Sequence, residues 1–463
     1  MIRSVALLSG SEPFAAFREA TDILAEKHGN DFSLALYEAE GLDGKEALEA
    51  CGKDMANADF IIISLHGTTA ECKGFNRFLP LLADRKVFFQ SGIDDENREM
   101  AGKTNLFPDQ IGAIRSYYQN ADPESLADLF RYVGETVLLR GTWNPSPPRQ
   151  PKWDGIYDPQ KKYDEKDSLR GAEDAAAKGI PVIGILFHRY AFSRHNTASV
   201  DAMAEKLRDM GVYSLCVYSN LVPDEAGTFG GVEDTLKRYF LKDGKPRIGC
   251  LINLCNFSLT LLGKPGRGTS GEQDSLLYLL GIPVIQAMGS PYSLEEWRNA
   301  HAGIPAQYYS SSVFHPEFDG QLVGFAVSYG AKNNDREEPL ALPIPERIDR
   351  VCRLAVNWAR LALVPNKEKR VAVILHNMPP RNDSIGCATG LDTPRSLMNL
   401  FETLRERGYG MDYAFQDGEE IIRRITEGLT NDVRWSSPEA MREKSAGLIS
   451  AEQYRSWFAE FAP

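Results

Sequence analysis

Short apolar runs alternate with amphipathic stretches along the first 140 residues of the chain. Such runs are typical of strands buried on both faces of a parallel sheet, and the stretches between them have helical spacing. Because strands that alternate with helices form right-handed crossovers, we predict a doubly wound sheet in an N-terminal domain of residues 1–140. The predicted strands are 4–8, 33–37, 60–65 and 87–90, and the predicted helices are 13–27, 44–56, 74–84 and 122–138.

The same alternation returns after residue 178 and predicts a second α/β domain of residues 179–365. Residues 141–178, rich in proline and then in charge, are typical of a linker between the two domains. In the second domain the predicted strands are 182–187, 213–218, 249–254 and 283–286, with a strand pair in 314–327, and the predicted helices are 199–209, 231–240 and 344–363.

Residues 366–463 are predicted to begin a third unit. Val371–Leu375 is a β-branched apolar run that ends at a Pro-Pro pair, and a polar loop and a helix that stops at Gly408 follow it. The pattern weakens after Tyr413. The predicted fold class is therefore α/β, with consecutive doubly wound, Rossmann-like parallel-sheet domains and a truncated third α/β unit.

Ligands of open α/β sheets bind beyond the carboxyl ends of the strands. We therefore expect the turns after Phe187, Gln286 and Leu375 to border one cleft. The polar residues at these turns are His188, Arg189, Arg194, His195, Gln286, His376 and Asn377.

Composition narrows the class of protein. The net charge of −12 argues against binding to nucleic acid or to an anionic membrane through bulk electrostatics. No run approaches the roughly 18 apolar residues of a membrane span, and the N-terminus lacks a secretory signal. Seven scattered cysteines show no disulfide framework. We therefore expect a reduced, cytoplasmic protein.

Common nucleotide and nucleophile motifs are absent from the sequence. No Gly-Lys-Ser/Thr phosphate loop is present, so we do not expect this chain to hydrolyse ATP, and no Gly-x-Ser-x-Gly elbow is present either. The glycine-rich segment at 263–271 fits an anion cradle or a mobile surface loop. His66 fits a ligand or a histidine that is hydrogen-bonded within its loop.

Two regions of the chain resemble one protein family. ILHNMPP followed by IGCATGLDTPRSLMNLFETLRERGY is similar to the signature of the large subunits of cobaltochelatase (CobN type) and magnesium chelatase. Upstream, IPVIQ and HPEFDG resemble that family's Pro-Val-x-Gln and Pro-Glu-x-Asp-Gly segments. The resemblance covers nearly the whole chain but only the N-terminal portion of those longer subunits. We therefore expect a fragment, a split subunit or a shortened relative. The match includes Gln286, Glu317, Asp319, Asn377, Gly386, Gly390 and Asp392.

The resemblance implies binding of a tetrapyrrole and insertion of a divalent metal substrate, cobalt or magnesium. It also implies partner ATPase subunits that use the ATP. Metal insertion removes both pyrrole N–H protons, for which a neutral histidine is a suitable base, and we predict His376 and His188 in that catalytic role. Glu317 and Asp319 are the predicted metal ligands. The predicted substrate-binding residues are Arg189, Arg194, His195, Gln286, Asn377, Gly386, Gly390 and Asp392.

Each of these residues also fits a structural role. Asp392 precedes Thr-Pro and fits a helix N-terminal cap, and Gly386 and Gly390 fit backbone geometry alone. Residues 317–320 fit an ordinary turn, and His188 and His376 fit hydrogen-bonded structural positions. The rival function is a non-catalytic module that binds a tetrapyrrole or organises partners. A sugar- or nucleotide-handling α/β enzyme is a third class.

Overall fold

Alternate side chains of the first strands pack on opposite faces of a four-stranded parallel sheet. Ala6 and Leu8 lie in one apolar cluster, and Val5 and Leu7 lie in the cluster on the other face. The computed structural model describes residues 1–9, 13–42, 44–65, 67–83, 85–120, 122–224, 227–263, 276–301, 303–333 and 336–461.

The first sheet has the strand order β2-β1-β3-β4, with every pair parallel. Its strands are β1 (Ile2–Leu8), β2 (Phe32–Glu38), β3 (Phe60–Ser64) and β4 (Lys86–Gln90). Its helices are α1 (Phe14–His28), α2 (Lys45–Asn57), α3 (Phe75–Leu82), α4 (Asp94–Ala101), α5 (Pro108–Tyr118) and α6 (Pro123–Tyr132).

The second sheet has seven strands in the order β13-β12-β11-β10-β6-β7-β5. Its five central strands are parallel, and β5 and β13 pair antiparallel to their neighbours. The strands are β5 (Asp154–Ile156), β6 (Val182–His188), β7 (Tyr213–Ser219), β10 (Cys250–Asn253), β11 (Val284–Gly289), β12 (Leu322–Asn333) and β13 (Arg336–Pro343), with a separate hairpin of β8 (Leu241–Lys242) and β9 (Lys245–Pro246).

Helices cover both faces of the second sheet, because its β-strand side chains divide between two apolar clusters. These helices are α7 (Glu165–Ala177), α8 (Arg189–Ser193), α9 (Ala198–Asp209), α10 (Val232–Thr235), α11 (Leu259–Gly263), α12 (Leu276–Leu280) and α15 (Pro345–Leu363). Two further short helices, α13 (Leu294–Asn299) and α14 (His315–Phe318), contribute no residue to these clusters. The prediction of α/β parallel-sheet domains is confirmed for both sheets.

The chain divides into two compact units, Met1–Arg360 and Leu361–Pro463, and the first unit contains both sheets. The segment predicted as a linker, 141–178, holds β5 and α7, which belong to the second sheet and its helical layer. The boundaries that we predict at residues 140, 178 and 365 remain predictions about independent domains.

Two predictions of local structure are wrong. Val371–Leu375 forms no strand, and Ile374 is 91% exposed. A strand needs a hydrogen-bonded neighbour, and no strand occurs among the described residues of the second unit, so a third α/β unit is not formed there. Likewise, the N-terminal half of the predicted strand pair 314–327 is helical, and β12 pairs with β11 and β13 instead. The second unit consists of α16 (Thr393–Glu406), α17 (Gly418–Glu427), α18 (Pro438–Lys444), α19 (Ala451–Phe461) and loops.

A charged cluster joins the end of α1 to α6. The ring Nε2 of His28 accepts a hydrogen bond from Arg131 Nε at 3.1 Å, and Arg131 forms a buried ion pair with Asp128 at 2.6 Å. Burial lowers the pKa of His28 below its ordinary value of 6.5, and Arg131 and Lys27 lower it further, whereas Asp31 acts in the opposite direction. His28 is therefore held neutral.

We expect His28 to make the first unit less stable at acid pH. Because its pKa is depressed in the folded protein, the unfolded chain binds more protons near pH 6, so its contribution is complete above about pH 6.5 and is lost as the pH falls. Urea unfolding at about pH 7.5 and about pH 5.5 checks this against His28→Gln, which keeps an acceptor for Arg131 but does not titrate. The variant should lose less stability on acidification, and equal losses would contradict the prediction.

Candidate functional site at the carboxyl edge of the second sheet

The chain order of the second sheet reverses between β6 and β10. Strand β7 lies on one side of β6, and β10 and β11 follow on the other, so the loops after β6 and β10 diverge at this point. Open α/β sheets bind their ligands at such a switch point, beyond the carboxyl ends of the strands. His188 ends β6 and Asn253 ends β10, so both lie at this edge.

Gln286 and Asn253 are fully buried in an amide network at this edge. The Asn253 side-chain amide donates to Gln286 Oε1 at 2.9 Å and to Gln321 Oε1 at 3.0 Å. Gln286 Nε2 donates to the Cys255 carbonyl, and the Cys255 N–H donates to Asn253 Oδ1, both at 3.0 Å. Gln286, which is predicted to bind substrate, thus supports the turn after β10 through its hydrogen bond to Cys255.

Asp319 and Glu317, the predicted metal ligands, have different environments. The buried Asp319 carboxylate accepts hydrogen bonds from Ser258 Oγ and from the Leu259 N–H, both at 2.6 Å, and so holds the start of α11. Glu317 is exposed on the short helix α14. Among the described residues, no three His, Cys, Asp or Glu side chains form a group that could hold a metal ion.

Exposed aromatic side chains follow β10 and border the short helix α14. The Phe257 N–H donates to the Ser311 carbonyl at 2.7 Å, and the rings of Phe257 and His315 are 6.1 Å apart between centroids. Phe257, Phe314 and Phe318 are 49%, 51% and 85% exposed. We call Phe257, Phe314, His315 and Phe318 the aromatic patch. None of these four residues was predicted from the sequence as a site residue.

His188 caps the short helix α8 at the end of β6. Its Nδ1 accepts the Tyr190 N–H at 3.1 Å, so a neutral ring carries its proton on Nε2. With its unprotonated nitrogen engaged, His188 is better placed to donate a hydrogen bond than to act as a base. The Arg194 guanidinium lies 5.0 Å from the Tyr190 ring centroid, and His195 is exposed with a left-handed backbone.

Arg189 is buried and engaged by the protein itself. Its Nε donates to the Lys152 carbonyl at 2.9 Å, and its Nη2 donates to the Gln119 carbonyl at 2.7 Å. The guanidinium also lies 5.2 Å from the Trp153 ring centroid, and burial lowers its pKa. Arg189 therefore links the end of β6 to the connection between α5 and α6 and to the segment that precedes β5.

We expect Arg189→Met to destabilise the protein by about 2–3 kcal/mol. Methionine fills similar space but cannot donate to the carbonyls of Lys152 and Gln119, and a hydrogen bond from a charged group contributes about 1.5–3 kcal/mol. Urea unfolding measures the loss. The control is Arg208→Met, because Arg208 is exposed and its ion pair with Glu205 is 3.7 Å long. Equal stability of the two variants would exclude this anchoring role.

The remaining predicted residues belong to the second unit. His376 is exposed, and its carbonyl accepts the Gly386 N–H at 2.7 Å. The Asn431 side chain donates to the Asn377 carbonyl at 3.2 Å. Gly386 and Gly390 have left-handed backbones with φ of 70° and 77°, which glycine adopts readily.

Asp392 is the N-terminal cap of α16. Its Oδ1 accepts the Arg395 N–H at 3.0 Å, as in an ordinary capped helix. His66 and residues 264–275, which include most of the glycine-rich segment, lie outside the described residues.

Comparison with known proteins places the chain in a family. The model of the family described as CobN/Magnesium Chelatase matches residues 115–463. The chain belongs to this family. The fold is also similar to a solved structure of such a protein. The catalytic subunit of cobaltochelatase from Mycobacterium tuberculosis superposes with a TM-score of 0.54 and 22% identity, over 99% of this chain and 34% of that one.

Curated relatives of the chain include subunits of cobaltochelatase and of magnesium chelatase. The aerobic cobaltochelatase subunit CobN of Pseudomonas aeruginosa is 27% identical over 93% of this chain and 33% of its own length. An uncharacterized protein of Methanocaldococcus jannaschii is 32% identical over 67% of this chain and 25% of its own. A magnesium-chelatase subunit of Chlorobaculum parvum is 24% identical over 74% of this chain and 25% of its own. The chain thus spans about a quarter to a third of these relatives.

Helix length and polarity bear on insertion into a membrane. Within the described part of the chain, no helix combines the length and the apolar character that crossing a bilayer requires.

Proposed function

We propose that this chain is the N-terminal portion of the tetrapyrrole-binding large subunit of a cytoplasmic, ATP-dependent metal chelatase. In this proposal the chain presents a surface for the macrocycle, cobalt or magnesium is the metal substrate, and separate ATPase subunits use the ATP. Membership of the CobN/magnesium chelatase family supports the reaction class. The exposed aromatic patch at the switch point is the observation from which we assign macrocycle binding to particular residues.

A flat, apolar ring requires an exposed aromatic surface with a few polar groups at its border. The three phenylalanines of the aromatic patch supply apolar area that is already exposed, so binding would cover it without rearranging the core. Stacked or edge-on contacts with the macrocycle would add specificity. Arg194, held against Tyr190, is the proposed partner for a carboxylate on the edge of the ring.

Metal insertion also needs an acceptor for the pyrrole protons. Each metal ion that enters displaces both N–H protons, and a neutral imidazole can take up a proton near neutral pH. His315 lies within the aromatic patch and is the proposed acceptor of both protons in turn, because it can release the first to solvent before it takes up the second. His188 is proposed as a hydrogen-bond donor on the same edge. Glu317 is exposed on the same helix as His315 and is the proposed group for passing on the divalent ion.

Residues of the second unit complete the proposal. His376, Asn377, Gly386, Gly390 and Asp392 belong to the segment that resembles the family signature. Through that resemblance we propose His376 as a catalytic base and the other four as substrate-binding residues, and the cap and turn geometry of this segment is compatible with a loop held in one conformation.

Titration with a metal-free porphyrin that carries two carboxylates tests the proposal. Binding should shift the porphyrin absorbance, and addition of cobalt or magnesium with the ATPase subunits and ATP should then produce the metallated spectrum. Binding without metallation, with the partners present, would favour the non-catalytic module. Absence of any spectral shift would overturn the proposal.

A further inference from the structure

A cavity lies at the β5 edge of the second sheet, beside the carboxyl end of β7. Its volume is about 640 Å³, within the range of about 300–1,000 Å³ that is usual for small-molecule sites. It is lined by residues 150–153, by β5, by the start of α7 and by Arg238 and Tyr239 of the helical segment Leu236–Phe240. None of the aromatic-patch residues and none of the predicted site residues line it.

A buried carboxylate positions an arginine in this cavity. The Asp154 side chain is 4% exposed, and its Oδ1 accepts a hydrogen bond from Arg238 Nη1 at 2.7 Å. Thr235 Oγ1 donates to the other oxygen at 3.1 Å. The Arg238 side chain remains 52% exposed, so part of its guanidinium is accessible from the cavity. An arginine fixed in this way is prepared to bind a carboxylate.

A second acidic group lies on the other side of Tyr239. The Tyr239 hydroxyl donates to Glu165 Oε2 at 3.3 Å and lies 3.5 Å from Asp154 Oδ1. Glu165 is exposed at the start of α7, and its carboxylate has no cation paired with it among the described residues. It is therefore suited to accept hydrogen bonds from a ligand.

The charges of the lining select the class of ligand. Lys152 and Arg238 are positive and Asp154, Asp164 and Glu165 are negative, which leaves one net negative charge. This net negative charge would repel a simple anion such as phosphate. A ligand with an anionic group for Arg238 and a cationic group for Glu165 satisfies both sides. Trp153, Phe229 and Tyr163 add aromatic surface to the lining.

We propose that this cavity binds a small zwitterion of the amino-acid class, with its carboxylate on Arg238, its ammonium group on Glu165 and its apolar part against the aromatic lining. The proposal is independent of the macrocycle surface at the switch point. Asp154 acts as a positioning residue because it orients the Arg238 guanidinium.

Ligand-observed NMR on the full chain tests the proposal with matched probes. L-phenylalanine has both charged groups, 3-phenylpropionate lacks the ammonium group, 2-phenylethylamine lacks the carboxylate, and inorganic phosphate tests a plain anion. We expect phenylalanine to bind at least about tenfold more tightly than any of the others, since each lost charged hydrogen bond weakens binding by about that factor or more. Equal binding of 3-phenylpropionate, or no binding of phenylalanine, would overturn the proposal.

Two substitutions locate the site. Arg238→Gln and Glu165→Gln should each weaken phenylalanine binding about tenfold or more. Lys237→Gln is the control, because Lys237 adjoins Arg238 but is exposed and does not line the cavity. All three positions are exposed, so the variants should fold, which circular dichroism verifies. Binding that survives both substitutions would place the ligand elsewhere and refute the assignment.

Discussion

Gly324→Ala should destabilise the N-terminal unit by about 3 kcal/mol or more, because its new methyl group has no space. A Cβ at this position would lie 2.0 Å from the Gln286 carbonyl oxygen and 3.1 Å from the carbonyl carbon. Gln286 pairs with Val323 and Ala287 with Phe325, so Gly324 is the extra residue of a bulge between β11 and β12. Backbone atoms cannot move aside as a flexible side chain would. The loss in unfolding free energy should therefore lie at the upper end of the range for overpacked substitutions.

Urea unfolding followed by circular dichroism measures this loss. The control is Gly112→Ala, because a Cβ there meets nothing within 4 Å and Gly112 lies inside α5. Alanine in an unobstructed helix interior should leave stability unchanged or raise it by about 0.5–1 kcal/mol. A Gly324→Ala protein as stable as the wild type would show that the two strands do not approach each other in this way.

Asn253→Leu is expected to cost about 3–5 kcal/mol. Leucine has the branched shape of asparagine, but it leaves the carbonyl oxygens of the Gln286 and Gln321 side chains and the Cys255 N–H without partners in a fully buried site. Each unsatisfied buried group costs about 1–3 kcal/mol. The turn that carries Phe257 would lose its support, so porphyrin binding should weaken as well.

The matched control for Asn253→Leu is Gln321→Met. The buried Gln321 Nε2 has no hydrogen-bond partner in the described structure, so methionine removes an unsatisfied donor together with one useful acceptor. We expect a cost of about 1 kcal/mol or less. Equal unfolding free energies for the two variants would show that the network does not depend on Asn253.

The strands of both sheets could be predicted because their signal is local. Buried apolar runs bounded by turns, such as residues 60–64 and 182–187, match the observed strands β3 and β6 closely. The run Val371–Leu375 has the same composition, yet it is not paired in the structure. Composition reports how well a segment would fit a sheet, whereas pairing depends on a neighbour that lies elsewhere in the chain.

The roles of the site residues depended on contacts that a sequence does not contain. Arg189 directly follows β6 and Gln286 lies within β11, and the donors and acceptors of both side chains are engaged by the protein's own carbonyl and amide groups. Asp392 shows the opposite case, because its position before Thr-Pro already indicated the cap that the structure contains. The aromatic patch was missed because exposed phenylalanines have no periodicity that marks them.

One titration tests the macrocycle surface most directly. The quenching of intrinsic fluorescence by a metal-free dicarboxylate porphyrin is measured for the wild type, for the double variant Phe257→Ala/Phe318→Ala, and for Phe107→Ala, which removes a similarly exposed ring from the first sheet's domain. The double variant should bind about tenfold more weakly or worse, since each removed aromatic contact contributes about 0.5–1.5 kcal/mol beyond its buried area. Phe107→Ala should bind like the wild type. If the double variant keeps wild-type affinity, the aromatic patch is not where the ring binds.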